Sequence, residues 1–289
     1  MEKESIFGFI NIYKPVGMTS HDIVGYLRRI TKIKQIGHTG TLDPFAEGVL
    51  PVAIGKATRL IEYLDNDKAY IGRFNFGKST TTYDIEGEDV EIFDKKITKK
   101  EIENNLPKGI IDQYPPIYSA KKINGKKLYE YAREGKESEV VIKPCRVNIY
   151  KSELLDFNEE NQCADIYIKC SKGTYIRSIA NDLGKVLNNG CYLSKLKRVQ
   201  AGLFSIENAV ILDNLKSFQD VKDNILTPVD YLPLPKQEIN DGELKRVRNG
   251  LKIYNKTIKD GFVSLTLNGN LIGIAEYDEQ NLKIKKVVN

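Results

Sequence analysis

The residues with the clearest chemical potential lie in one stretch, Gly37-His38-Thr39-Gly40-Thr41-Leu42-Asp43-Pro44-Phe45-Ala46-Glu47-Gly48-Val49. Three glycines and a proline in thirteen residues argue against a helix or strand running through it. Leu42, Phe45 and Val49 are interleaved with polar groups, so the stretch reads as a loop with apolar anchors and not as a solvated linker. Asp43 in such a loop could be a nucleophile, a general base or a metal ligand. It could equally do no more than set up the turn at Pro44. Glu47 is the only other carboxylate nearby, which weakens both a metal site and paired-carboxylate glycosidase chemistry. No GxxxxGK[ST] or GxGxxG phosphate cradle occurs in the chain. What remains is Asp43 acting alone, as nucleophile or base, with a cation to keep it ionised.

Composition bounds the setting. The 289 residues, 41% hydrophobic and 29% charged, suffice for one large domain and a small one. No apolar run approaches the roughly 20 residues of a membrane span. The Met1-Glu2-Lys3-Glu4-Ser5 start lacks the order of a signal peptide, so a cytoplasmic location is expected. Cys145, Cys163, Cys170 and Cys191 form no CxxC pair, and His21 and His38 are the only histidines. Reduced thiols are therefore expected, with no zinc site. The net charge of +5 is mild, but six basic residues between Lys121 and Lys136 face two acids, and Lys195-Leu196-Lys197-Arg198 forms a second cluster. Each alone would read as a solvated face; together, near aromatic residues, they suggest a polyanion such as RNA.

The elements that must position the loop can be read from periodicity. Residues 7–13 read as a strand, followed by a turn and a helix capped by Thr19 or Ser20 with Ile23, Leu27 and Ile30 inward. Val49–Ile54 reads as a strand and Lys56–Leu64 as a short helix. Ala69–Phe76 alternates cleanly, with Tyr70, Gly72, Phe74 and Phe76 on one face. Thr98 and Glu101 form a capping box. Residues 112–136 look like an exposed excursion carrying a small helix, Leu128–Arg133. Cys163–Ser171 reads as a strand leading to a helix with Ile176, Ile179, Leu183 and Val186 inward. Tyr192–Ile206 reads as extended, and Ala209–Phe218 as a final helix. The prolines of Tyr231-Leu232-Pro233-Leu234-Pro235 mark a boundary before a small β-rich module. The rhythm is α+β, not doubly wound.

The loop resembles the catalytic motif of the TruB family of tRNA pseudouridine-55 synthases, through Gly37-His38-Thr39-Gly40-Thr41-Leu42-Asp43-Pro44, Ala46 and Gly48-Val49-Leu50. Four more motifs match in order. They are Lys14-Pro15-x-Gly17-x-Thr19-Ser20, then Asp67-Lys68-x-Tyr70 with Gly77-x-x-Thr80-x-Thr82-x-Asp84. Next comes Gln113-x-Pro115-Pro116-x-Tyr118-Ser119-Ala120-Lys121, running on to Arg133. The last is Ser171-Lys172-Gly173-Thr174-Tyr175-Ile176-Arg177 with Asp182-Leu183-Gly184. Residues 233–289 are a looser match, similar to a PUA-like RNA-binding domain.

The resemblance implies a pseudouridine synthase fold, with a mixed, largely antiparallel sheet flanked by helices. It implies a catalytic domain over 1–232, with an RNA-binding thumb at about 112–140. The implied reaction isomerises uridine-55 in the tRNA T-loop by base flipping, without cofactor or metal, in an enzyme expected to be monomeric and to need no protein partner. Asp43 would be the nucleophile, attacking C1′ or C6 or assisting elimination. Arg177 would hold it ionised. Tyr70 would stack on the target base and assist loss of the C5 proton. Tyr175 and Leu196 would contact the flipped uridine, and His38 would fill the vacated stack. Lys14 is placed with the substrate-binding positions and would support the loop; Lys121 and the thumb would contact phosphates. From residues alone, Tyr70 and Leu196 read as core. A non-catalytic tRNA-binding or tRNA-folding chaperone is the alternative function.

Overall fold

The computed structural model describes residues 6–256 and 258–288. β1 (Gly8–Lys14) leads to α1 (Ser20–Thr31), and β2 (Ile36–His38) enters the loop that returns as β3 (Glu47–Ile54). The strands therefore reach further into the glycine-rich stretch than composition suggests, leaving 39–46 as the loop proper. A 3-10 segment, Gly55–Tyr63, stands where an ordinary helix is expected, and β4 (Lys68–Phe76) follows. A hairpin of β5 (Lys78–Thr80) and β6 (Asp89–Ile92) precedes α2 (Lys99–Asn105) and β7 (Gly109–Gln113). The chain then leaves the sheet and carries β8 (Lys122–Ile123), β9 (Lys126–Lys127) and α3 (Leu128–Arg133). It returns as β10 (Cys145–Asn158), β11 (Cys163–Cys170), α4 (Ile176–Leu187), β12 (Cys191–Ala201) and β13 (Phe204–Ser205). β14 (Val210–Ile211) and α5 (Phe218–Asp223) complete this part.

The sheet order is β14-β1-β3-β12-β4-β11-β10-β7, with β2 on β3 and β13 on β12. Only β1/β14 and β3/β12 pair in parallel, so the mixed, largely antiparallel sheet is as expected. α1 buries Ile23, Val24 and Leu27 against Ile10, Leu50 and Val52. On the other side α4 packs Ile176, Ile179 and Leu183 against Phe74, Ile166 and Leu193. Each such side chain, fully buried, contributes about 1.5–3 kcal/mol.

Two expectations fail here. Val186 points to solvent, because the inward stripe of α4 runs through Ile179, Ala180, Leu183 and Leu187. No α-helix runs over 209–217: Val210 and Ile211 pair with Ile12 and Tyr13, covering the edge of the sheet, Leu212–Asn214 make one short 3-10 turn, and the α-helix begins at Phe218 after the Ser217 cap.

The C-terminal part is a five-stranded sheet of β15 (Lys236–Glu238), β16 (Ile253–Tyr254), β17 (Phe262–Leu267), β18 (Asn270–Asp278) and β19 (Asn281–Val287). It also holds α6 (Asp241–Arg248), opened by a capping box of Asn240 and Glu243. Leu271 and Ile274 share one core with Phe9, Val49 and Leu60, so the module is packed onto the main sheet.

Candidate active site

The loop is anchored from three sides. Its backbone at Leu42 both donates to the Ser20 hydroxyl (2.8 Å) and accepts from it (3.2 Å). The carbonyl of Pro44 accepts from the Gly17 amide at 2.8 Å and from the Lys14 ammonium at 3.4 Å. The side chains of Leu42, Phe45 and Ala46 are buried in one cluster with Tyr70, Ile176 and Leu196.

The third anchor is Arg198, a wholly buried guanidinium. It donates to the carbonyls of Val49 (2.6 Å), Gly40 (3.1 Å) and Thr41 (3.3 Å). It thus ties β12 to both ends of the loop, and is not the surface phosphate contact that its basic cluster suggests. The period-two alternation that turns Leu196 inward turns Arg198 inward as well. Close approach of β3 to β12 requires Gly48, which has φ +105°; a Cβ there would lie 2.2 Å from the Arg198 carbonyl oxygen. Gly37 and Gly40, the other two glycines of the stretch, have ordinary φ.

Asp43 meets its cation. Arg177 enters from the first turn of α4, 134 residues away in sequence, and contacts both carboxylate oxygens, Nε to Oδ2 at 2.9 Å and Nη2 to Oδ1 at 3.2 Å. The α4 start is fixed by Gln113, whose side-chain amide accepts from the Tyr175 N–H (2.8 Å) and donates to its carbonyl (3.0 Å). Nη2 also donates to the Tyr118 carbonyl (3.0 Å) and Nη1 to the Thr82 carbonyl (3.2 Å). Nη1 lies 3.3 Å from Oδ2 of a second carboxylate, Asp84. Every guanidinium nitrogen is engaged, which sets the plane in which Asp43 must lie.

The two carboxylates on Arg177 are unequal. The Asp43 side chain is 33% exposed and that of Asp84 only 3%. Burial pushes the Asp84 carboxyl above its ordinary range, and the Thr82 hydroxyl and the Arg177 charge pull the other way. Asp84 is held by the Thr82 hydroxyl and the Glu86 amide (3.0 Å). It belongs structurally to Arg177, and Asp43 is the carboxylate open to a reactant. Asp84 stands in a motif quoted above, yet sequence reasoning assigned it no role.

The remaining candidates divide by exposure. Tyr70 is buried beside Arg198; burial raises its phenol pKa while Arg198 opposes the rise, so the ring is neutral at physiological pH. Leu196 is buried and Tyr175 half-buried in the same region. His38, at the end of β2, is half-buried with an unpartnered Nδ1; burial, then the charges of Arg198 and His21, lower its pKa and keep it neutral. Lys14 has no exposed surface, and its ammonium also donates to the carbonyls of Pro15 (2.8 Å) and Met18 (2.6 Å). Burial lowers it to about 8. Its three carbonyl contacts support the loop. Lys121 sits at the base of the excursion, its ammonium 2.6 Å from the Cys145 thiol.

All four cysteines are free thiols, Cys170 and Cys191 buried. Among the described residues, no cluster of three metal-ligating side chains occurs and no helix is long and apolar enough to cross a membrane.

Comparison with known proteins gives this arrangement a context. Residues 28–176 match the family model described as TruB family pseudouridylate synthase, N-terminal domain. The tRNA pseudouridine synthase B of Clostridioides difficile (strain 630) is 40% identical over 287 residues, covering 94% of this chain and 95% of that protein. The protein of the same description from Staphylococcus aureus (strain Newman) is 42% identical over 307 residues, covering 98% and 99%. Among solved structures, a chain of a Cbf5-Nop10-Gar1 complex matches with TM-score 0.74 at 24% identity, over 97% of this chain and 84% of that one. A chain of an H/ACA RNP bound to a substrate RNA containing 2'-deoxyuridine matches with TM-score 0.72 at 22% identity, over the same shares. At such identities these two likenesses speak to the fold.

Proposed function

The chain belongs to the TruB family of pseudouridylate synthases, and on that premise we propose that it isomerises uridine-55 of the tRNA T-loop to pseudouridine, with Asp43 as nucleophile. The observation that carries this reading is the exposed Asp43 carboxylate held on both oxygens by a buried Arg177. A carboxylate so held is oriented and unable to rotate away, which is what attack on a nucleotide requires.

The reaction breaks N1–C1′ and forms C5–C1′. The C5 proton is lost and N1 gains one, so the atoms balance without a redox partner. Attack by Asp43 forms a bond from its carboxylate to the nucleotide as the N-glycosidic bond opens; the freed uracil turns and rebonds through C5, and the bond to Asp43 breaks, restoring the carboxylate. Tyr70, a neutral phenol in the same buried cluster as Leu42 and Leu196, gives the target base its stacking face. Its raised pKa argues against a phenolate base and for a role through its neutral form. His38, also neutral, is suited to fill the gap that the flipped base leaves, since an uncharged ring stacks without the cost of desolvating a charge; extrusion itself costs a few kcal/mol. The excursion over 114–144, with Lys121 at its base, acts as the thumb on the T arm. We take residues 1–232 as the catalytic unit and 233–289 as a PUA-like RNA-binding module. The enzyme acts as a monomer in the cytoplasm.

The test is Asp43→Asn. The variant should bind tRNA with wild-type affinity and release no tritium from C5-tritiated uridine in a T-loop substrate; release at the wild-type rate would end the proposal.

A further inference from the structure

The basic residues that the sequence marks out are largely answered within the protein. In the thumb, Lys126 and Lys136 both pair with Glu134, and Lys127 and Arg133 lie against the Tyr129 ring. Arg198 is buried, and Lys197 pairs with Glu47. A group of six cations without ion pairs among the described residues lies elsewhere, with Arg29 over the Tyr26 ring. Arg28, Arg29, Lys32 and Lys34 close α1 and its following turn, and Lys56 and Arg59 lie on the 3-10 segment after β3.

Tertiary structure brings the two groups onto one surface. The Gln35 carbonyl accepts from the Gly55 amide (2.8 Å), and the Gln35 side chain donates to the Thr58 hydroxyl (2.7 Å). Arg28 folds the turn by donating to the carbonyls of Lys34 and Ile36, both at 3.0 Å, and lines a recess of about 460 Å³ with Lys32 and Lys34. Among the described residues none of the six cations forms an ion pair, and five are exposed. Helix-end electrostatics accounts for Arg28 and Arg29 in the last turn of α1, but not for Lys34, Lys56 or Arg59. The one acid on the 3-10 segment, Glu62, is already paired with Lys286 of β19 at 2.9 Å.

The surface is continuous with the candidate site at one end. Lys34 lies four residues before His38, at most about 13 Å along extended chain. At the other end the Glu62–Lys286 pair brings it to the C-terminal sheet. Along the chain Lys34 lies on the far side of His38 from Asp43, so a nucleic acid seated on the loop and continuing past His38 would meet it. We infer that this surface binds the phosphate backbone of the part of tRNA outside the T arm. The inference rests on the proposed tRNA activity.

The test neutralises Lys34, Lys56 and Arg59 together, as Lys34→Gln, Lys56→Gln and Arg59→Gln, all exposed positions. Binding of full-length tRNA and of a minimal T-arm hairpin is measured against salt, with turnover of each. Loss of up to three phosphate contacts should lower the slope of log affinity against log salt by about 2–3 for full-length tRNA. Affinity for full-length tRNA should fall ten- to a hundredfold at low salt, with hairpin binding and hairpin turnover unchanged. Equal weakening of both RNAs would overturn the inference by placing the surface on the T arm, and weakening of neither would overturn it outright. Binding is read independently of turnover: a wild-type protein that binds both RNAs and converts neither refutes the proposed reaction, while the difference between the two RNAs still decides the role of the surface.

Discussion

Arg198→Lys is the substitution that most directly probes how the loop is held. Arginine donates from three nitrogens to three carbonyls, those of Val49, Gly40 and Thr41. A lysine ammonium is a single point on a differently shaped stem and can keep about one of these contacts. Two hydrogen bonds from a charged donor are lost, at about 1.5–3 kcal/mol each, or about 3–6 kcal/mol in total. A domain with about 5–15 kcal/mol of stability still folds in most of that range. If the ammonium keeps Val49 on β3, the loss falls on Gly40 and Thr41, next to Asp43. About 2.7 kcal/mol of that loss expressed in the transition state is a hundredfold in rate. The assay is single-turnover tritium release at saturating enzyme, beside filter binding of the same tRNA and a thermal melt. The expected result is a rate reduced about a hundredfold with affinity held within about threefold. A variant with a lowered melting temperature but a wild-type single-turnover rate would refute the reasoning, because the buried guanidinium would then be structural only.

Three further outcomes follow from the same geometry. Gly48→Ala places a Cβ 2.2 Å from the Arg198 carbonyl oxygen at φ +105°, so a loss of about 3 kcal/mol or more is expected; a melting temperature within 2 °C of wild type would contradict the strand spacing. Asp84→Asn removes the carboxylate that balances Arg177 from the buried side, and should cut the rate about ten- to a hundredfold with tRNA binding intact; unchanged turnover would leave Asp84 without influence on Asp43. Lys68, beside Gly40, is lowered by burial, and then by the Arg198 charge, to about 8. The folded state then binds fewer protons than the unfolded state between about pH 8 and pH 10.4, so stability rises with pH across that window. Lys68→Met should flatten this rise in denaturant titrations, Lys14 supplying the remainder, and equal slopes for the two proteins would exclude Lys68 as the source.

Much of this was readable in the chain because it is local. Alternation placed Tyr70, Gly72, Phe74 and Phe76 on the inner face of β4, a Thr19 or Ser20 cap marked the start of α1, and the Thr98–Glu101 capping box marked that of α2. Glycine, proline and spaced apolar residues marked the Asp43 loop, and Leu128–Arg133 is helical as its pattern implies. What failed was also local. Val210-Ile211 serves a sheet edge because β1 needed a partner, which the segment itself does not reveal.

The site required more than the chain alone could say. A residue type and its spacing tell which face of an element it occupies, but not what another segment sets against that face. Arg177 reads as an ordinary helix residue until α4 lies across the loop from Asp43, and Asp84 reads as one more loop acid until it closes on the same guanidinium. Charge is the clearest case. A lysine or arginine carries the same charge in any sequence, but whether that charge is buried, paired or left for RNA depends on neighbours far along the chain. The sequence determined that Asp43 stands in a loop with apolar anchors between two strands. Packing alone decided that Arg198 clamps that loop from within, and that the free cations face outward from α1 and the segment after β3.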